Sequence, residues 1–377
     1  MAATFISSRI YLEPGYPGNH PLAIARLAPV MGLCRALGWL DDGAYAECPI
    51  ATDAQLARFH DAAYLAAFAA ATERGRATAQ ERARFGLGSI ENPIFAGLDA
   101  RARASVGGSI LAAEIALKGG IAYHPGGGTH HAMADRASGF CYFNDPVFAI
   151  LRLLDAGLTR VLYADLDAHH GDGVQAAMAH DPRVMTLSVH EDGRWPFTGG
   201  AGDRGNGHAR NFPVPRAMND SEFAWLMDNA LLPLARGFAP QAVVVTVGAD
   251  ALAGDPLSSL ALSNGALWEA VMALTRLSPA SVILGGGGYN PWTLARAWAG
   301  LWARLSGQPV PDDLPPAARA VLAPLSCDLV DEDEVQPAWL TTLADAPNPG
   351  PVRPAFAALA RAALSPDPAE LPHVRLA

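Results

Sequence analysis

Short apolar runs alternate along the chain with longer stretches in which apolar positions recur every three or four residues, as strands alternate with helices in βαβ architectures. The runs Gly120–Tyr123, Val161–Leu166, Val184–Val189, Ala242–Val247 and Ser281–Leu284 lack polar alternation, which predicts strands buried on both faces of a parallel sheet. Helical spacing is clearest over Asp53–Ala70, Ala102–Ala116, Asp145–Leu154, Ser221–Leu234 and Pro291–Leu305. The last begins at a proline, whose missing N–H costs little there. Beyond Gly307 the pattern gives way to proline-rich text with an acidic run, Asp331–Glu334. This predicts a domain over residues 1–307 and a C-terminal extension, 308–377, packed on it and partly mobile.

Each predicted strand stops being apolar in the same way. The loops that follow read HPGGGTHHA (124–132), DAHHGDG (167–173), HEDGRWPFTGG (190–200), GADALAGDP (248–256) and GGGGYNPW (285–292). In open parallel sheets, ligands bind outside the carboxyl ends of the strands, so these loops predict one shared site. Asp167 and His169 are two apart on a chain that is still extended, a spacing that projects both side chains to one side. Oxygen and nitrogen donors of this kind suit a catalytic Zn²⁺ with an open position, and Asp255, in another strand-end loop, is the best third ligand. A single loop aspartate is more often an Asx turn or helix cap; the shared location reverses those odds.

His130 and His131 form a second histidine pair, in the neighbouring glycine-rich loop. Imidazole exchanges protons near neutral pH, which suits general acid–base work, and Asp165 and Asp172 are spare carboxylates able to orient such bases. Tyr289 follows four glycines, so a ligand can approach the backbone closely while the phenol donates to a developing oxyanion.

Composition narrows the classes. A net charge of −10 speaks against a general nucleic-acid binder and permits a cationic peptide partner. Of the 27 basic residues only Lys118 is lysine, which together with abundant Ala, Gly and Pro reads as a GC-rich bacterial coding sequence. Four scattered cysteines give neither a disulfide framework nor a thiolate zinc cluster. No apolar stretch reaches the roughly 18 residues of a membrane span, and the first twenty residues lack a secretory pattern, so a cytoplasmic protein is expected, with no membrane partner.

The motifs GGGTHHA, SGFCYFNDP, VLYADLDAHHGDGV, GADALAGDP and LGGGGYNPW, in this order, resemble the zinc-dependent histone deacetylase superfamily, including bacterial acetoin-utilisation-type deacetylases, from about residue 20 to residue 305. The resemblance implies a single-domain arginase/deacetylase α/β fold, with a mostly parallel central sheet and helices on both faces. It implies hydrolysis of an acylated lysine in a peptide or protein, or of a small acylated amine such as an acetylpolyamine. Asp167, His169 and Asp255 would hold Zn²⁺, His131 would be the base and acid, and His130 its electrostatic partner. Asp165 and Asp172 would orient the histidines, and Tyr289 would polarise the acyl carbonyl. A structural K⁺ is implied at Asp165, Asp167, His169, Ser188 and Val189.

In the substrate tunnel, Phe140 and Trp195 would flank the acyl-lysine stem, Gly139 would accept its amide N–H, and Gly287 would line the site. Leu262 falls where the family has a gatekeeper, and its neutrality favours acyl-lysine over free polyamine. Glu91 stands where the family has a substrate-holding Asp, and Trp195 where a Phe is usual. Arg26 matches an arginine of the acetate exit region, with Cys141 close to the same floor. The resemblance leaves self-association open.

Three other readings fit less well. The glycine clusters give no GxGxxG, which a dinucleotide site requires. A binuclear manganese centre of the arginase kind needs an Asp where this chain has Gly171. A catalytically dead reader of acyl-lysine would lack Tyr289 or a zinc ligand, and all are present.

Overall fold

The structure, a computed structural model, describes residues 3–365 apart from Pro14 and Asp42. Eight strands form one sheet: β1 (Ala3–Ser7), β2 (Tyr45–Glu47), β3 (Ile121–His124), β4 (Val161–Asp165), β5 (Val184–Glu191), β6 (Ala209–Val214), β7 (Ala242–Thr246) and β8 (Ser281–Leu284). Their order is β2-β1-β3-β8-β7-β4-β5-β6, and every neighbouring pair is parallel. All carboxyl ends therefore face one edge. The five strands predicted from sequence are also the five contiguous central ones, which places their loops side by side.

Strand β3 shows why helices must cover both faces. Tyr123 donates to Trp298 O at 3.1 Å and stacks on Trp302, both from the helix Pro291–Ser306. The next residue, His124, contacts Ser109 of the helix Leu98–Ala116 at 3.1 Å. Successive strand side chains point to opposite faces, so these two helices lie on opposite sides of the sheet. Trp298 and Trp302 are fully buried and anchor the core on their side. Among the described residues no helix is long and apolar enough to cross a membrane.

Three strands escaped the sequence reading. β6 reads ARNFPV, and a strand with Pro213 and two polar residues is tolerated because it lies at the sheet margin, paired only with β5. β2 has three residues, and β1 alternates too briefly to stand out. The helix expected over Asp53–Ala70 is two, Asp53–Leu56 and Ala62–Arg74. In the break, buried His60 turns inward, with Nδ1 3.3 Å from Ala134 O and Nε2 accepting the Asn144 N–H at 3.2 Å. The helix expected over Ser221–Leu234 runs on to Phe238 through a π-turn at Met227–Leu231, just before Pro233, whose ring removes an N–H from the ladder.

The C-terminal segment carries the helices Pro316–Leu322, Pro337–Thr341 and Pro354–Leu364. It is tied to the domain by polar contacts as well as burial. The fully buried Arg296 donates to Thr342 O and to Asp345 Oδ1 at 2.7 and 2.6 Å, and Arg353 grips buried Glu222. Residues 366–377, the end of the extension expected to be partly mobile, lie outside the described residues.

Candidate active site

Asp165 is the last residue of β4, and Asp167 and His169 follow while the chain leaves the sheet edge. The β3 loop brings two imidazoles against this row. His130 Nδ1 stands 2.7 Å from Asp165 Oδ2, and His131 Nδ1 stands 2.7 Å from Asp172 Oδ1. A carboxylate only accepts, so each Nδ1 carries the hydrogen and each Nε2 is left as the working edge. Asp165 Oδ2 also accepts from the phenol of Tyr163 at 2.7 Å.

The two rings lie 3.9 Å apart, between centroids, yet their charges differ. Burial opposes charge on His130, but Asp165 and Asp167 outweigh it and hold its pKa up at about 9. Burial, joined by the neighbouring charge of His130, pushes His131 down to about 4 in spite of Asp172. The surroundings thus push two neighbouring imidazoles in opposite directions, and such a split marks acid–base assignments.

Asp167, His169 and Asp250 bring one ligand atom each to within 4.8 Å of one another, and all three are buried. His169 Nδ1 lies 3.2 Å from Asp167 Oδ1 and 3.0 Å from Asp250 Oδ2. The trio expected from sequence has Asp255 where this cluster has Asp250. Asp255 stands behind it: Oδ2 accepts the Tyr289 N–H at 2.7 Å and Oδ1 the Leu257 N–H at 2.9 Å. It remains close enough that burial, and then the charge of Asp250, push its carboxyl up to about 7. GADALAGDP holds two acids five residues apart, and nothing in its pattern separates them. The short helical turn Ala249–Ala251 swings Asp250 inward, under His169.

These groups fit a divalent cation. Three buried carboxylates share a pocket with His169, and buried charges of one sign are paired or coordinate metals. The backbone makes room for them: a Cβ added at Gly248 or Gly287 would fall within the van der Waals envelopes of Asp167 and Asp250. Gly287 also donates its N–H to Asp167 Oδ2 at 2.6 Å, so its role is to hold a carboxylate. His170, the other imidazole of the opening motif, turns away to Thr198 and Gln175. Of the residues assigned to potassium, Asp165 and Ser188 are register partners across β4 and β5, with Val189 next in line.

Two cavities meet at this row. The outer one, about 510 Å³, is lined by Glu91, His131, Gly139, Phe140, His169, Trp195, Leu257 and Tyr289, among others. Trp195 meets the His131 ring edge-on at 4.6 Å, and Phe140 meets Tyr289 at 5.8 Å. Glu91 Oε2 reaches the N–H of Gly139 at 3.5 Å. Gly139 itself has φ +53 and Trp195 against its Cα, leaving no space for a side chain. Leu262 is not at this mouth. It is 1% exposed, its N–H donates to Ala251 O, and its loop turns back so that Leu257 takes the wall. The unpatterned run PLSSLAL gave no means of telling these leucines apart.

The inner cavity, about 310 Å³, lies behind His130, His131 and Tyr289 and is bounded by Arg26, Cys141 and Gly286 among others. Arg26 donates to Gly286 O at 2.5 Å and lies over the Trp298 ring. The Cys141 thiol donates to Gly139 O, and burial raises its pKa, so it is an unreactive wall group.

A parallel sheet whose central loops converge on paired His–Asp dyads and a carboxylate–imidazole cluster places acid–base groups and possible metal ligands at one sheet edge, as a hydrolase requires. Residues 20–305 match the histone deacetylase domain, and the chain belongs to that family. It is 34% identical to the acetoin utilization protein AcuC of Bacillus subtilis over 330 residues, covering 83% of this chain and 84% of that one. It is 36% identical to histone deacetylase 8 of Xenopus tropicalis over 298 residues, covering 77% and 80%. The crystal structure of a histone deacetylase homologue from Aquifex aeolicus superposes with a TM-score of 0.92 at 34% identity, covering 97% of this chain and all of that one. The fold is therefore that of the deacetylases, and the chain is a deacetylase-family hydrolase.

Proposed function

We propose that the chain hydrolyses the side-chain amide of acylated lysine at a single zinc ion. The observation that carries this reading is geometric: two His–Asp dyads, His130 on Asp165 and His131 on Asp172, each held through Nδ1, stand beside the cluster of Asp167, His169 and Asp250. Asp167 and His169 would hold the ion. We assign the third place to Asp255, which has two N–H donors but no cationic partner, and leave Asp250 as the group that fixes His169. When bound, the ion supplies Lewis-acid polarisation of the amide carbonyl and a lower pKa for the attacking water.

The protein supplies the proton chemistry. His131 accepts the proton of the water at Nε2 and returns it to the departing amine, while Asp172 keeps its Nδ1–H in place. His130, charged and held by Asp165, stabilises negative charge that develops beside it. Tyr289 is held well above its ordinary pKa by burial and then by Asp250, so its phenol keeps its proton and can donate to the carbonyl oxygen. Phe140 and Trp195 flank the stem of the substrate.

At the rim, Glu191 is neutralised by Arg194 at 2.7 Å and faces Arg216 at 3.9 Å. These guanidiniums favour the uncharged stem of an acylated lysine over a polycationic amine. A potassium ion held at Asp165, Asp167, His169, Ser188 and Val189, several of them acting through backbone oxygens, would stiffen the same loop. The test is a substrate panel of acetyl-lysine peptide, longer acyl-lysine peptides and acetylspermidine, run with zinc and after chelation. Turnover of acyl-lysine lost on chelation is expected, and undiminished turnover by the chelated protein would overturn the metal reading.

A further inference from the structure

The histone deacetylase match ends at residue 305, yet the chain beyond it touches the two loops that carry Asp255 and Tyr289. Those loops are already tied together. Asp255 Oδ2 accepts the Tyr289 N–H at 2.7 Å, and Asn290 Nδ2 donates to Gly254 O at 2.9 Å. Behind them stands Trp339, buried and carried by the helix Pro337–Thr341. A Cβ added at Gly254 would come within 2.8 and 3.0 Å of its ring. The same ring stacks on Trp292, two residues past Asn290, with 6.2 Å between centroids and 22° between planes. The Trp292 indole in turn donates to Leu322 O at 3.2 Å, and the Cys327 thiol donates to Tyr289 O at 3.4 Å. All four of these contacts are made by residues after 305, namely Trp339, Leu322 and Cys327.

We propose that the C-terminal segment belongs to the active site's frame, with Trp339 the positioning residue that fixes the Gly254–Asp255 and Tyr289–Asn290 loops against each other. The proposal rests on the reading of Asp255 and Tyr289 given above. Its physical basis is that neither loop has regular structure of its own at these residues, so their register depends on what they pack against. Gly254 sits at φ +87 with the ring beneath it, a conformation in which glycine is unstrained and lets the ring approach the backbone. Trp339 touches neither substrate nor ion in this scheme and acts only through the two loops.

The test compares Trp339→Ala, Trp339→Phe and Phe356→Ala in the full chain. Phe356 is fully buried in the distant helix Pro354–Leu364 and controls for loss of stability alone. Three readouts are used: kcat and KM on an acetyl-lysine peptide, zinc affinity by chelator competition, and amide hydrogen exchange over 252–257 and 287–291 without metal. For Trp339→Ala we expect zinc affinity weakened by about 10- to 100-fold, the usual cost of losing support behind a ligand. We expect kcat lowered by at least about 10-fold with KM little changed, since misplacement of about 1 Å can cost 10²-fold. Exchange should quicken in both segments, Trp339→Phe should recover most of the loss, and Phe356→Ala should shift none of the three at an equal fall in Tm. If Trp339→Ala does not fold, Trp339→Phe against Phe356→Ala decides by the same readouts. Native zinc affinity and exchange in the Trp339 variants would overturn the proposal. If the native chain hydrolyses no acyl-lysine, the proposed function fails instead, and zinc affinity and exchange still decide the role of Trp339.

Discussion

Gly171→Ala tests whether the His130–Asp165 pairing is needed, without removing any functional group. Gly171 has φ −74, which alanine adopts freely, so the backbone is not strained by the change. The added Cβ would stand 3.1 Å from Asp165 Cγ, 3.4 Å from His130 Nδ1 and closer than 3.0 Å to Asp165 Oδ2. That oxygen accepts from both His130 and Tyr163 at 2.7 Å, so it cannot retreat without lengthening two buried bonds. A displacement of about 1 Å in such a group costs about 10²-fold in rate. Overpacking of this kind typically lowers stability by about 1–3 kcal/mol. The expected result is kcat near 1% of native on an acetyl-lysine peptide and a lower Tm. Gly200→Ala, where an added Cβ meets nothing within 4 Å, serves as the silent control. A Gly171→Ala enzyme with native kcat would refute the reasoning, because either Asp165 has room to move or its grip on His130 is dispensable.

Other outcomes follow from the same geometry. His131→Ala should abolish turnover while zinc stays near one per chain; loss of the zinc instead would make His131 a structural support of the metal group. Asp255→Asn should lower zinc content more than Asp250→Asn, and the reverse order would move the third ligand to Asp250. His60 is buried, and burial pushes its pKa down to about 4. The unfolded chain, with an ordinary value of about 6.5, therefore binds the extra proton first, so this stability is fully present above pH 6.5 and is lost as the pH falls towards 4. Urea unfolding at pH 7 and pH 5 should show His60→Gln losing about 2 kcal/mol less than the native protein across that interval. Equal losses would show that His60 does not govern the acid response.

What could be read from the sequence was whatever local pattern dictates. The five central strands announced themselves because burial on both faces leaves no polar alternation, and their loops because glycine and ligand residues cluster where strands end. The sites decided by tertiary packing were not legible. Asp250 and Asp255 share one motif, and only the turn at 249–251 tells which of them reaches under His169. Leu257 and Leu262 share one loop, and its path back across Ala251 and Leu252 determines which faces the mouth. The inward turn of His60, which splits a helix, answers to groups more than seventy residues away along the chain.

The 3.9 Å between the His130 and His131 rings has a consequence for how such a chain can change over generations. The pKa of His131 is pushed down by burial and then by His130, and that of His130 is pushed up by Asp165 and Asp167 beside it. A substitution at any one of these positions therefore resets the protonation of another, and effects that act as a unit do not add. Positions 130, 131, 165 and 167 are therefore expected to answer to substitution as one electrostatically coupled group, whereas exposed loop positions such as Gly200 can change one at a time.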